Sequence, residues 1–168
     1  TGPLVFVKVR HEISREGSSK VAITEFHDIV YREAAKPDDV APPPQPAPES
    51  SAWEKGWVPD DVLLFRYSAL TFNGHRIHYD LPYATQVENY PGLVVHGPLQ
   101  AMLLLGSARR NQPDRRPARF SFRGLRPLFH FEQVRLLGRE RADDGHDLWT
   151  VNGDGHVAMQ ASVVWQGH

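Results

Sequence analysis

Two short stretches hold the side chains best suited to moving protons in this 168-residue chain. Phe72-Asn-Gly-His-Arg-Ile-His-Tyr-Asp80 places an amide, two imidazoles, a guanidinium and a carboxylate in nine residues. Val95-His-Gly-Pro98 adds a third imidazole, His96, directly before a glycine and a proline. Imidazoles titrate near neutral pH, so His75, His78 and His96 are candidates for acid–base work. Pro98 suits the first turn of a helix. The first backbone N–H groups of a helix are unpaired, with the positive end of the helix dipole behind them. They suit an oxyanion forming on a carbonyl, and Gly97 has no side chain to obstruct its own N–H. Together the two stretches point to proton transfer on a carbonyl compound. Taken singly, each has a plainer reading, the first as a polar loop with capping side chains and the second as a helix start. His75 and His78 also stand at metal-ligand spacing, but no third ligand is evident, and no metal is expected.

The elements that must position these residues are legible in outline. Leu99 to Arg110 is apolar almost all round, which predicts a helix buried on every side. Val62 to Tyr67 is a short apolar run that leads into the His-rich segment, and Pro82 to Gln86 suggests a short helix. After turn-rich residues 111–117, strands are expected at about 118–126, 131–141, 147–152 and 157–166, with Gly145 and Asn152-Gly-Asp-Gly155 as turns. One buried helix followed by an antiparallel meander is an α+β arrangement, a sheet wrapped around a helix, and not a βαβ nucleotide fold. Upstream, Leu4–Ile13 and Val21–Tyr31 read as a long hairpin. A hairpin is marginal alone, so these strands are expected to pair with something outside it. Seven of the 14 prolines fall between residues 37 and 59, which predicts an extended linker with almost nothing to bury. The organisation expected is therefore a remnant at 1–36, a linker at 37–56 and a main domain at 57–168.

Composition removes several classes of function. Lys plus Arg number 19 against 20 Asp plus Glu, a net charge of −1, without the basic excess of a nucleic-acid binder. No apolar run approaches the roughly 20 residues of a membrane span, so no membrane partner is expected. Cysteine is absent, which excludes disulfides, thiolate metal sites and cysteine nucleophiles. The phosphate-loop, dinucleotide, serine-elbow and zinc-protease motifs are missing as well.

Phe65-Arg-Tyr-Ser-Ala-Leu-Thr-Phe-Asn-Gly-His-Arg-Ile-His-Tyr-Asp80, followed by Tyr90-Pro-Gly-Leu-Val-Val-His-Gly-Pro-Leu99, resembles the MaoC-like dehydratases and (R)-specific enoyl-CoA hydratases. Within them it is most similar to the double hot-dog branch of mesaconyl-C4-CoA hydratase and itaconyl-CoA hydratase-like proteins. The resemblance implies a hot-dog fold, with 1–36 as the closing strands of a first repeat and 57–168 as the second. It implies reversible hydration of an α,β-unsaturated acyl-CoA without a cofactor. His78 matches the acid–base histidine, Gly97 the oxyanion glycine and Asp80 the family's trailing Asp. Asn73 stands where the broad family has a catalytic Asp, and His75 where it has Asn. An amide can hold a water but cannot accept its proton, so His78 must carry more of the proton traffic.

Around these residues, Arg76, His75, Asp80, His96 and Tyr90 are expected to contact substrate. Arg109, Arg110, Arg115 and Arg116 are, like Arg76, candidates for CoA phosphates or a substrate carboxylate, against the plainer reading of solvated surface charge. Tyr79 and Tyr83 are candidates for the acyl pocket, against core packing. Trp149 and Trp165 are expected to pack. A cytoplasmic enzyme is expected, as a homodimer or paired with a first hot-dog repeat. The alternatives are a non-catalytic acyl-CoA-binding hot-dog subunit and a hot-dog thioesterase, since a scaffold alone does not fix a reaction.

Overall fold

The computed structural model describes residues 3–32 and 43–167, in two compact units divided after Pro42. Residues 33–36 of the expected remnant and 37–42 of the expected linker lie outside the described residues.

The first unit is the antiparallel hairpin of β1 (Leu4–Ser14) and β2 (Val21–Arg32), in register from Val5 opposite Tyr31 to Ile13 opposite Ile23. Gly17, at φ 75°, turns the chain between them, a backbone that glycine adopts at little cost. Among the described residues of this unit nothing covers the apolar side chains, and Phe6, Ile23, Phe26 and Tyr31 are all more than half exposed.

The second unit is an antiparallel sheet in the order β3-β5-β6-β7-β4. Its strands are β3 (Trp53–Trp57), β4 (Pro117–Gly124), β5 (Val134–Glu140), β6 (Gly145–Val151) and β7 (Val157–Trp165). Helix α3 (Gly97–Asn111) lies against one face. Leu99, Ala101, Leu104 and Ala108 of the helix share a core with Leu136, Leu148, Met159, Val163 and Trp165 of the strands. Two shorter helices, α1 (Asp61–Leu70) and α2 (Leu81–Gln86), join β3 to α3.

Two expectations need correction, and one apolar run takes a form that the sequence leaves open. First, α3 is not buried all round. Met102 is 61% exposed, whereas two polar residues, Gln100 and Ser107, are buried. The sheet meets one side of the helix only, and it offers hydrogen-bond partners there: Thr150 Oγ1 donates to Gln100 Oε1 at 2.9 Å, and Trp53 Nε1 to Ser107 Oγ at 3.1 Å.

Second, the proline-rich stretch does bury surface. Ala47 packs on the opposite face of the sheet, against Leu137, Trp149, Val151 and Val157. Backbone bonds from Ala47 N to Gly155 O and from Val157 N to Gln45 O pin it there, both at 2.8 Å. The stretch expected to be linker also holds all but the last residue of the edge strand β3. Its Trp53 indole covers Gly138 so closely that a Cβ at that position would overlap the ring.

The apolar run after Pro59 begins a helix. Asp60 caps it by accepting from Leu63 N at 2.7 Å. Its apolar residues do not follow a helical stripe: Leu64 is buried while Val62, Phe65 and Leu70 face outward.

Candidate active site

The site forms where three backbone segments are tied together. Val94 N donates to Ile77 O at 2.9 Å, and Val95 N to Leu128 O at 2.8 Å. The first bond holds the 3-10 turn Arg76–His78 against the strand-like entry to α3. His78 and His96 then stack, with ring centroids 3.8 Å apart and planes 17° from parallel. Both are buried.

Each imidazole is held by one partner. His78 Nδ1 lies 2.7 Å from Val94 O. A carbonyl only accepts, so in the neutral ring Nδ1 carries the proton and Nε2 presents a lone pair. Burial pushes the His78 pKa below 6.5, with His75 adding to the shift and the Val94 carbonyl opposing it. His78 is therefore a neutral base at pH 7. His96 Nε2 lies 2.8 Å from Ser68 Oγ, a buried hydroxyl on α1. Burial, helped by His78, pulls the His96 pKa down to about 4. Its Nδ1 is buried without a hydrogen-bond partner among the described residues.

His96 is also the N-cap residue of α3, so Gly97 is the first helical residue, beside the stacked rings. A Cβ on Gly97 would meet nothing nearer than Met159 Cε at 3.9 Å, an ordinary contact. Packing within the chain therefore does not require glycine here, and the bare Cα leaves room over its N–H.

A groove of about 340 Å3 opens beside this centre, lined by Phe65, Ser68, Ala69, Phe72, Asn73 and Tyr79 among others. Its walls are mostly apolar, with the Ser68 hydroxyl and the Asn73 amide as polar points. Asn73 is set there by the end of α1. Phe72, at φ 53°, takes a left-handed backbone, and Asn73 N closes the helix on Ser68 O at 2.9 Å. Asn73 Oδ1 accepts from His75 N at 3.0 Å, so the amide NH2 is the part of this side chain left to donate.

Of the residues singled out in the sequence, the structure brings His78, His96 and Gly97 together, with Asn73 in the adjoining groove. His75 stands at the rim, exposed, its ring 5.7 Å from that of His78. Arg76 and Asp80 engage each other at 2.7 Å. Asp80 also caps α2 through Tyr83 N at 3.1 Å, and Arg76 lies over the Tyr83 ring. The Arg76 hydrogen bond, then that from Tyr83 N, holds the Asp80 carboxyl below its ordinary pKa. These contacts build the turn that carries His78.

Tyr79 lines the groove, whereas Tyr83 bonds Glu88 and Tyr90 packs near Phe129. Arg115 pairs with Asp144 at 2.6 Å. Arg109 and Arg110 are exposed in the last turn of α3, roughly 20 Å along the axis from Gly97 at 1.5 Å per residue. Sequence reasoning missed Ser68, Phe65 and Phe72. The available signal was a serine four residues after Leu64, on the inward side of an otherwise apolar stretch.

This arrangement joins a neutral histidine base to a helix N-terminus beside an apolar groove. The profile of the hydroxyacyl-thioester dehydratase type 2 family matches residues 2–130. The chain belongs to that family. It is 47% identical over 167 residues to mesaconyl-C(4)-CoA hydratase of Chloroflexus aurantiacus, covering 99% of this chain and 58% of that protein. It is 39% identical over 105 residues to the mitochondrial hydroxyacyl-thioester dehydratase type 2 of Schizosaccharomyces pombe, covering 60% of this chain and 35% of that one.

The chain thus spans little more than half the length of one relative and about a third of the other. Among solved structures, HtdX of Mycobacterium tuberculosis superposes with a TM-score of 0.66 at 22% identity, over 95% of this chain and 61% of that one. The (R)-hydratase of A. caviae gives 0.55 at 18%, over 66% of this chain and 89% of that one. These likenesses show that this dehydratase-family chain has the hot-dog fold, as the resemblance implied.

Proposed function

We propose that the chain carries the proton-transfer centre of an acyl-CoA hydratase that adds water reversibly to an α,β-unsaturated thioester. One observation carries this reading: a neutral His78, its Nδ1 proton committed to Val94, beside the free N–H of Gly97. In hydration, His78 Nε2 takes a proton from water as the oxygen bonds to C3. The double-bond electrons move toward the thioester oxygen, where the Gly97 N–H stabilises the charge. His78 then returns the proton to C2, so the product gains H at C2 and OH at C3. The Asn73 NH2 donates to the water oxygen and orients it. Arg76 and Asp80 act by holding the His78 turn, and His75 by facing the His78 ring from the rim.

The similarity to mesaconyl-C(4)-CoA hydratase along almost the whole chain supports mesaconyl-C4-CoA as the first substrate to try. The hairpin at 4–32, apolar on its exposed surface, supports pairing with strands outside it, those of a first hot-dog repeat or of a second copy. Among the described residues no helix is long and apolar enough to cross a membrane. We place the enzyme in the cytoplasm, where CoA thioesters are made and consumed.

The test is loss of enoyl-thioester absorbance with mesaconyl-C4-CoA and with crotonyl-CoA. Turnover by the wild type that falls on the order of a hundredfold or more in His78→Ala supports the reading. Equal turnover in both removes His78 from the chemistry. Release of free CoA thiol in place of hydration makes the protein a thioesterase.

A further inference from the structure

The oxyanion site as described is one donor short. A thioester oxygen that gains charge accepts more than one hydrogen bond, but the residue after Gly97 is Pro98, which has no N–H to add. A second donor must come from another element. Ser68 reaches the centre from α1: its Oγ lies 2.8 Å from His96 Nε2, and the residue lines the groove.

The direction of the Ser68–His96 bond follows from the surroundings. His96 Nδ1 is the ring nitrogen nearer the backbone, at the cap of a 15-residue helix, and it is buried without a partner. The positive end of that helix favours a lone pair there over an N–H. With Nδ1 bare, the proton of the neutral ring sits on Nε2 and is donated to Ser68 Oγ. The Ser68 hydroxyl then accepts from His96 and keeps its own proton. No other bond to this hydroxyl occurs among the described residues, not even the usual one to the carbonyl four residues earlier in its helix. Its open side is the groove.

We propose that the Ser68 hydroxyl, oriented by His96, is a second hydrogen-bond donor to the thioester oxygen of the bound substrate, acting beside the Gly97 N–H. Ser68 touches the substrate; His96 is a positioning residue. This assignment rests on the hydratase reading, and it explains why a histidine sealed from solvent and depressed far below neutrality stands at the centre without serving as a base. His96 stays neutral through the catalytic cycle and fixes the rotor of a serine.

The test uses a readout that a structural role would not move. Acetoacetyl-CoA carries the same thioester and, when bound, forms an enolate with its own ultraviolet absorbance. The pH at which half of the bound ligand is enolate reports donors aimed at that oxygen. In Ser68→Ala this midpoint is expected to rise by about one to two pH units, the worth of a hydrogen bond to a charged oxygen. In parallel, kcat for hydration is expected to fall on the order of a hundredfold with KM little changed.

Ser68→Thr, which keeps the hydroxyl, recovers most of both. His96→Phe, which keeps a ring for the stack but loses the Nε2 proton, moves the midpoint in the same direction and adds little to Ser68→Ala in the double variant. A midpoint unchanged in both Ser68→Ala and His96→Phe, with hydration intact in the wild type, overturns the proposal alone. A wild type that binds acetoacetyl-CoA as enolate yet hydrates neither substrate overturns the hydratase reading and leaves the donor assignment to be decided by the same midpoint. If Ser68→Ala does not fold, judged by its thermal melt, His96→Phe decides.

Discussion

Among the described residues two buried imidazole environments lie toward opposite ends of α3, and they look alike until access is considered. At the N-terminal end stand His78 and His96; toward the other end, His146 is enclosed by Trp53 and Trp165. All three rings are buried, and burial pulls each pKa below its ordinary value. Each environment also contains one ring nitrogen without a partner, His96 Nδ1 in the first and His146 Nε2 in the second. What separates them is the neighbourhood. The first has a groove, a helix N-terminus and a hydroxyl on the groove wall. The second has two indoles, one of which spends its N–H on His146 Nδ1 at 2.9 Å. Depressed basicity is thus common to the proposed reactive centre and a packing device, and only the donors and the open side distinguish them.

The comparison breaks most visibly under substitution. His78→Ala is expected to abolish hydration by the hundredfold or more given above, whereas His146→Phe should leave kcat within about a factor of two. His146→Phe strands the Trp165 N–H in the core, so its cost appears in denaturant midpoints as about 1–3 kcal/mol. Equal activity losses in the two variants would end the distinction.

The second pole also depends on Trp53 lying flat on Gly138. Gly138→Ala drives a methyl into that indole, and a loss of about 1–3 kcal/mol is expected from overpacking, again with the per-molecule activity of the folded fraction retained.

Acid should act on both poles at once. Above pH 6.5 these imidazoles are neutral whether the chain is folded or not. Below it, the unfolded chain takes up protons that the folded one refuses, so stability falls as pH drops from 6.5 toward 4, the region where His96 titrates. Urea midpoints measured across that range check the sign, and His146→Phe should flatten part of the slope.

Gly97→Ala sharpens the first pole. Its methyl meets only Met159 at contact distance, so the melt should hardly move while turnover falls about tenfold or more because the substrate loses its approach.

The smallest effect is expected at Phe72, a bulky residue held at φ 53° and almost fully exposed. Phe72→Gly relieves that backbone and should stabilise the fold by up to about 1 kcal/mol, while weakening acyl binding at the groove.

The legible parts of the fold were those whose pattern matched a single period. The strands at 134–140, 145–151 and 157–165 alternate between two faces, and turn residues separate them. The illegible parts were those where burial came from a partner distant in the chain. Helix α1 shows no apolar stripe because Val62, Phe65 and Leu70 face outward, beside or near the groove. Strand β3 sits in a proline-rich stretch and exists because Trp53 finds Gly138, 85 positions on, and Ser107. Arg76 and Asp80 have the types of substrate ligands, yet a spacing of four residues across a turn lets them satisfy each other.

By itself, the sequence determined that His78 lies in a polar segment between apolar runs, that Gly97 and Pro98 open a helix directly after His96, and that a meander follows to cover it, because these depend on local backbone preference and on apolar periodicity. Only the tertiary structure decided that the two imidazoles stack, that Val94 sets the tautomer of one and Ser68 meets the other at 2.8 Å, and that two indoles enclose His146. Contacts between residues 16, 28 or 19 positions apart are made by packing. No local pattern encodes which nitrogen meets which oxygen.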